Sequence, residues 1–279
     1  MPDITAAAVK ALRDRTGLPM MDCKRALQET GGDEDAAIEL LRKAGQKVLA
    51  KRAGKETSQG RIAVHASLDP GVGSIVELQC ETASVASNQE FIQLAGDLAR
   101  QLATGPGAET PEELLAQPSP SKAPQTLQEQ FDELLNRIRE VFRLKRIARI
   151  DGPCGGYVHH DGCTGVLVQV EGGNAELAKD VSMHIVAMRP AVVAKEDLDA
   201  QLVAKEREIL TEQARQEGKP DKIIERMVEG RMRKEFYARS CLNDQPFVKG
   251  QSDKETVGKV ASAAGMKVIR FVRWRVGKE

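Results

Sequence analysis

Twice along this chain, short apolar segments joined by a turn are followed by an amphipathic helix, and that recurrence limits the fold more than any other feature. In the first copy Ile62, Val64 and Ala66 alternate with Ala63, His65 and Ser67, Asp69-Pro70-Gly71 turns the chain, and Ser74–Cys80 reads as a second strand. Alternation with period two is the mark of a sheet with two distinct faces, and the Pro-Gly pair marks the turn. Phe91, Leu94, Ala95, Leu98 and Leu102 then recur at helical spacing. In the second copy Arg146–Ile150 and Tyr157–His160 read as strands and Gly165–Glu171 as a third, almost wholly apolar one. Asn174 then caps a helix carrying Leu177, Val181, Ile185 and Met188 on one face, ended by Pro190. The pattern predicts an α+β fold, a two-subdomain core with an internal pseudo-repeat.

Residues 5–45 predict a miniature helical unit. Thr5 caps a helix with Val9 and Leu12 inward, Gly17-Leu18-Pro19 breaks it, and a second helix runs from Met20 to about Thr30. Gly31-Gly32 ends that helix and Asp33 caps a third, bearing Ile38 and Leu41. Arg42, Lys43, Lys47, Lys51, Arg52 and Lys55 follow with no acid among them, as a helical extension fading into a linker that ends at Ser58-Gln59-Gly60. Residues 104–125, rich in Pro, Gly, Ser and Ala, predict a mobile surface connection. Thr126-Leu127-Gln128-Glu129 has capping-box spacing and opens a helix to about Leu144. Between 195 and 240, Leu198, Leu202, Ile209 and Leu210 mark one charged helix, Gly218-Lys219-Pro220 a turn, and Ile223, Ile224, Met227 and Met232 a second. That is an antiparallel helical hairpin inserted into the second subdomain. Val268, Ile269, Phe271, Val272, Trp274 and Val276 form a closing strand. The implied domains are 1–55 (helical, with its basic linker), 56–144 (first core subdomain) and 145–279 (second, with the hairpin).

Forty-one basic residues cancel 41 acidic ones among 279, so no bulk positive field draws nucleic acid or an anionic membrane. The zero is a sum over regions: residues 42–55 are wholly basic, while 61–130 hold three basic residues against nine acidic. Such patterning suits a protein-binding surface. Apolar runs such as Val166-Leu167-Val168 are too short to span a bilayer, and Met1-Pro2-Asp3-Ile4-Thr5 lacks the basic and apolar segments of a signal peptide. Five cysteines without a CxxC pair do not describe a disulfide scaffold. The expectation is a cytoplasmic protein.

Catalytic motifs are missing: there is no nucleophile elbow, phosphate-binding loop or dinucleotide fingerprint. Gly152-Pro153-Cys154-Gly155-Gly156 is glycine-rich, but a strand follows it, so it reads as a tight turn. Cys154, His159, His160 and Cys163 are all zinc-ligating types. Adjacent His159 and His160 on a strand would point to opposite faces, so exposed hairpin residues are the competing reading. His184 lies on the apolar face of its helix and reads as a hydrogen-bonded packing residue rather than a base. Cys23 and Cys80 sit in apolar patterns as small buried hydrophobes. Met20-Met21 leaves two readings open: one side chain packs while the other is incidental surface, or the pair is a soft apolar contact for a partner, with Lys24 one turn on to meet an acid. No catalytic residue, metal or cofactor is expected.

The stretch from Thr5 through Arg15-Thr16-Gly17-Leu18-Pro19-Met20-Met21-Asp22-Cys23-Lys24-Arg25-Ala26-Leu27 closely resembles the bacterial elongation factor Ts family, the guanine-nucleotide exchange factors of elongation factor Tu. Gly32-Asp33, Ala53-Gly54, Tyr157-Val158-His159-His160, Met183-His184-Ile185, Met227-Val228-Glu229-Gly230-Arg231 and Gln245-Pro246-Phe247-Val248 extend the resemblance over nearly the whole chain. It implies a ubiquitin-associated-type (UBA-like) helical amino-terminal domain, a two-part core and an inserted antiparallel coiled-coil hairpin. It also implies docking on elongation factor Tu, GDP-bound or nucleotide-free, through Met20, Met21, Lys24, His159 and His160. A homodimer through the hairpin or the core is compatible with it.

The resemblance further implies a mechanism without chemical catalysis. Members carry a Thr-Asp-Phe-Val tetrapeptide after the second core strand that disturbs the partner's Mg²⁺ and phosphate site. Aligned through Cys80, this chain has Thr82, Ala83, Ser84 and Val85 there, so the acid and the ring are replaced. Two other readings stand beside exchange: a paralogue that binds elongation factor Tu without discharging nucleotide, and a zinc enzyme built on the Cys/His hairpin.

Overall fold

The computed structural model describes residues 4–278 apart from 53, 219, 251 and 253, with the side chains of 46–51 and 221 also undescribed. Lys47 and Lys51 of the basic run, Ala53, Met1–Asp3 and Lys219 of the hairpin turn therefore lie outside the described residues in whole or in side chain.

Helices α1 (Ala6–Thr16), α2 (Met20–Glu29) and α3 (Glu34–Arg52) open the chain. The Thr5 hydroxyl accepts from the Ala8 N–H at 3.2 Å, and Gly17 closes α1 at φ 66°, a left-handed conformation that favours glycine. Asp33 Oδ1 accepts from the Asp35 and Ala36 N–H groups, both at 3.0 Å, to start α3. Val9, Leu12, Cys23, Ala26, Leu27, Ala37 and Leu41 form their buried core.

Strands β1 (Gln59–Ser67) and β2 (Val72–Cys80) follow, so the chain is already in a strand at Gln59-Gly60, where a linker was expected. Next come a helical turn α4 (Ala83–Ala86), α5 (Gln89–Thr104), α6 (Pro111–Leu115) and α7 (Leu127–Ile138). Residues 104–125 are ordered rather than a loose connection. Thr110 and Glu113 close a capping box on α6 and Leu114 is buried. Ser119 donates to Gln130 at 2.7 Å, and Ser121 and Gln130 both donate to the buried Asp97. The small polar residues that resemble a linker are thus partners of a buried carboxylate.

Helix α7 stops at Ile138, six residues before the expected end, because Arg139 takes a left-handed conformation (φ 61°) and β3 (Arg143–Asp151) begins. Leu144 is a buried strand residue. Strands β4 (Cys154–Val158) and β5 (Thr164–Gly172), then helix α8 (Ala175–Met188), follow. Gly155 and Gly156 lie in β4, not in a turn. A Cβ at Gly155 would sit 2.6 Å from the Ala178 Cβ, so glycine there lets α8 approach the sheet.

Helices α9 (Ala200–Gln216) and α10 (Asp221–Arg231) pack together, with Leu210, Ala214, Ile224, Val228, Met232 and Phe236 buried between them and their continuation. Arg207 pairs with Glu229 at 2.9 Å and Arg231 with Glu217 at 2.8 Å. Of the apolar residues that mark the two helices in the sequence, Leu202 (49% exposed), Ile209 (42%) and Ile223 (47%) point to solvent, and Leu198 precedes α9. A π-helical segment, Met232–Tyr237, runs into α11 (Ala238–Ser240), and α12 (Val257–Ala263) leads to β6 (Met266–Arg275).

The strands make two three-stranded sheets, ordered β1-β2-β3 and β4-β5-β6. In the second, β5 pairs antiparallel with both neighbours, placing Val166 opposite Tyr157 and Arg273. The chain divides into two units: Met1–Ala63, Val76–Ile147 and Val276–Glu279 in one, Val64–Ile75 and Ala148–Arg275 in the other. The first contains the α1–α3 core and a second core of β2, α5, α6 and α7 residues, with Phe142 edge-on to Phe91 and Phe131. The other packs α8 and α12 on the β4-β5-β6 sheet.

Candidate functional site

The segment after β2 is built from its ends inward. Glu81 accepts from Arg52 Nη2 at 2.7 Å and from the Val141 N–H at 2.8 Å. Arg52 is the chief reason its carboxyl is held below the usual range. Thr82 is clasped by Glu140: its N–H donates to Oε2 at 3.1 Å and its hydroxyl to Oε1 at 2.8 Å. The same hydroxyl accepts from the Val85 N–H at 3.4 Å, capping α4. Val85 is buried in the neighbouring core. Both ends of the tetrapeptide are therefore anchored, while Ala83 and Ser84 between them are exposed. The role of Glu140 escaped the sequence reading, which placed it inside a longer helix.

Met20 and Met21 are 45% and 62% exposed, so neither packs inward; Cys23, Ala26 and Leu27 supply the buried face of α2. Lys24, three and four residues on, is exposed beside them. Asp22 turns the other way and pairs with Arg25 and Arg139. Burial pushes its carboxyl up, but those two guanidiniums outweigh it and leave it below the ordinary range.

His159 and His160 follow β4 rather than extending it. The His159 N–H donates to Thr164 O at 2.8 Å and its carbonyl accepts from Gly162 at 2.8 Å. Strand alternation no longer applies once the chain leaves the ladder at Val158, and the two rings lie 4.3 Å apart, not on opposite faces. Cys154 is buried at the far end of β4, opposite Gln169, and its thiol is pushed up to about 11 by burial. Among the described residues no group of three or more His, Cys, Asp or Glu side chains could hold a metal ion.

His184 is buried. Its Nδ1 accepts from the Val248 N–H at 3.2 Å, which makes Nε2 the protonated nitrogen, donating to Gln245 Oε1 at 2.9 Å. The ring is neutral, and burial holds its pKa below the ordinary value. It fixes the exposed Val248 segment rather than acting as a base.

Ala83 and Ser84, and Met20 and Met21 beside Lys24, are thus exposed on an α+β framework. A family model described as Elongation factor TS matches residues 81–278. The elongation factor Ts of Methylococcus capsulatus is 43% identical over 278 residues, covering 99% of this chain and 92% of that protein. That of Clostridioides difficile is 40% identical over 289 residues, covering 100% and 94%. That of Kineococcus radiotolerans is 41% identical over 283, covering 99% and 100%. The chain belongs to the elongation factor Ts family, translation elongation factors that serve protein biosynthesis by nucleotide exchange. Among the described residues no helix is long and apolar enough to cross a membrane.

Proposed function

We propose that this chain binds elongation factor Tu·GDP in the cytoplasm and promotes release of GDP and its exchange for GTP. One observation carries the reading beyond family membership: Ala83 and Ser84 are exposed between two anchored residues, directly after β2, where the family places its wedge. Nucleotide on a G protein is held by Mg²⁺ bridging its phosphates and by a phosphate-cradling loop. A factor that spreads the groups around the metal weakens nucleotide, and by linkage nucleotide weakens the factor equally. This mechanism requires no group on the factor to titrate or react, so the exchange proceeds without chemical catalysis by the factor.

Met20, Met21 and Lys24 of a UBA-like domain (1–55) and His159 and His160 of the second core subdomain (145–279) supply the docking contacts. Residues 56–144 carry the wedge, and α9 and α10 form the coiled-coil hairpin. Self-association through that hairpin or the core belongs to the same proposal. The small side chains at 83 and 84 favour one competing reading, a factor that holds elongation factor Tu without discharging nucleotide.

Stopped-flow release of a fluorescent GDP from the cognate elongation factor Tu separates the two. Acceleration that saturates with this protein supports exchange. No acceleration, with equal affinity for GDP-bound and nucleotide-free partner, supports holding, because a ligand without differential affinity shifts nothing.

A further inference from the structure

In the second unit a cavity of about 410 Å³ opens between the C-terminal end of α8, the tip of the β4–β5 hairpin, the end of β6 and the Val248-Lys249 segment. Arg273 and Arg275, two apart on β6, reach it from one face of the sheet, and Arg189, the left-handed residue that ends α8, reaches it from the helix. Lys249 is already matched, its Nζ 2.6 Å from Asp180. Counted over the lining side chains, Arg189, Lys249, Arg273 and Arg275 stand against Asp161 and Asp180, a formal surplus of two positive charges.

A second observation concerns hydrogen bonding. The Nε of Arg273 is buried, and among the described residues no protein atom accepts its proton. Native structures rarely leave a buried donor so, and an acceptor from a bound water, ion or ligand is one way in which such a group is satisfied. Burial, then the like charges of Arg189 and Arg275, lowers the pKa of the Arg273 guanidinium, so its surroundings disfavour the charge it carries.

We propose that this cavity is a binding site for an oxyanion of the phosphate class, carried by a small phosphorylated molecule. A phosphate monoester carries about two negative charges and three strong acceptor oxygens, which match the surplus and the several guanidinium forks. A carboxylate brings one charge and leaves the cluster positive. The volume lies within the range of small-molecule pockets, and the flanking Met183 and Val186 offer apolar surface to an attached organic group. The proposal does not depend on nucleotide exchange, since it requires only this chain.

The test is calorimetric titration of the full chain with inorganic phosphate, pyrophosphate and acetate in low-chloride buffer. The expected result is saturable binding of phosphate or pyrophosphate with Kd below about 1 mM, weakened by added salt and much tighter than acetate. Arg273→Gln and Arg189→Asn should each weaken it at least about tenfold, the loss of one charge-assisted contact, with far-UV circular dichroism unchanged. Should Arg273→Gln fail to fold, Arg189→Asn decides, because Arg189 is exposed and asparagine tolerates its left-handed backbone. No saturable binding, acetate binding as tight as phosphate, or unaltered affinity in a folded variant overturns the site.

Discussion

Ala83→Asp with Ser84→Phe is the substitution pair that most directly interrogates the exchange mechanism. Both positions are exposed, and neither side chain contributes to the anchors on either side, Thr82 on Glu140 and Val85 in the core. The pair should therefore leave the unbound fold in place. The carboxylate introduced by Ala83→Asp would stand close to Glu140, whose own carboxylate already takes the Thr82 N–H and hydroxyl. That like-charge approach offsets the small benefit of an acid at the start of a helical turn. The ring is the larger effect. Seated against the partner, it removes apolar area worth about 1.5–3 kcal/mol, roughly a ten- to hundredfold change in an equilibrium or a rate that depends on it. If the wedge acts here, the pair should accelerate fluorescent-GDP release by about that factor at saturating protein, with Ser84→Phe alone supplying most of the gain. Release within about twofold of the parent chain, with partner affinity unaltered, would show that the ring is not what this segment lacks and would refute the reasoning.

Replacing Met20 and Met21 by serine should weaken binding to elongation factor Tu at least about tenfold through lost apolar contact; titration against the partner reads it. Because both side chains are exposed, urea unfolding should shift by no more than about 0.5 kcal/mol. Glu140→Ala should slow exchange by freeing Thr82, and it should lower stability by about 1 kcal/mol because the clasp is solvent-exposed; a rate equal to that of the parent chain would detach the clasp from function. Arg146→Met removes the cationic partner of Glu77, 1% exposed and held by Arg146 Nε at 2.6 Å, leaving it the neutral donors Gln79 and the Gly277 N–H, and should cost about 2–3 kcal/mol in denaturant unfolding. Stability should also fall as pH drops below about 6.5: unfolded His184 takes up a proton there, while the buried ring, its pKa lowered, resists until its own pKa is passed. A denaturation midpoint flat from pH 7.5 to 5.5 would contradict the buried neutral imidazole.

Local chemistry was legible wherever neighbours in sequence settle the outcome. The caps at Thr5, Asp33, Thr126 and Asn174, the break at Gly17, and the apolar faces of α5 and α8 depend on residues a turn apart, so periodicity and side-chain type suffice. The family resemblance was legible too, because it resides in ordered motifs such as Met20–Leu27. The position of the tetrapeptide followed from the end of a strand at Cys80.

What tertiary structure alone decided involves partners far away along the chain. Composition marked 104–125 as a loose connection, yet Ser119 and Ser121 are held by Gln130 and Asp97. Pattern carried α7 on to Leu144, yet Arg139 turns left-handed, pairs with Asp22, and frees Glu140 to clasp Thr82. His159 and His160 share one side only because the chain leaves the ladder after Val158. Arg189 is far in the sequence from Arg273 and Arg275 and meets them only where a helix end faces a strand end. Periodicity reports which face of an element is apolar, but a hydrogen bond or charge cluster between distant residues exists only after folding has brought them within a few ångströms.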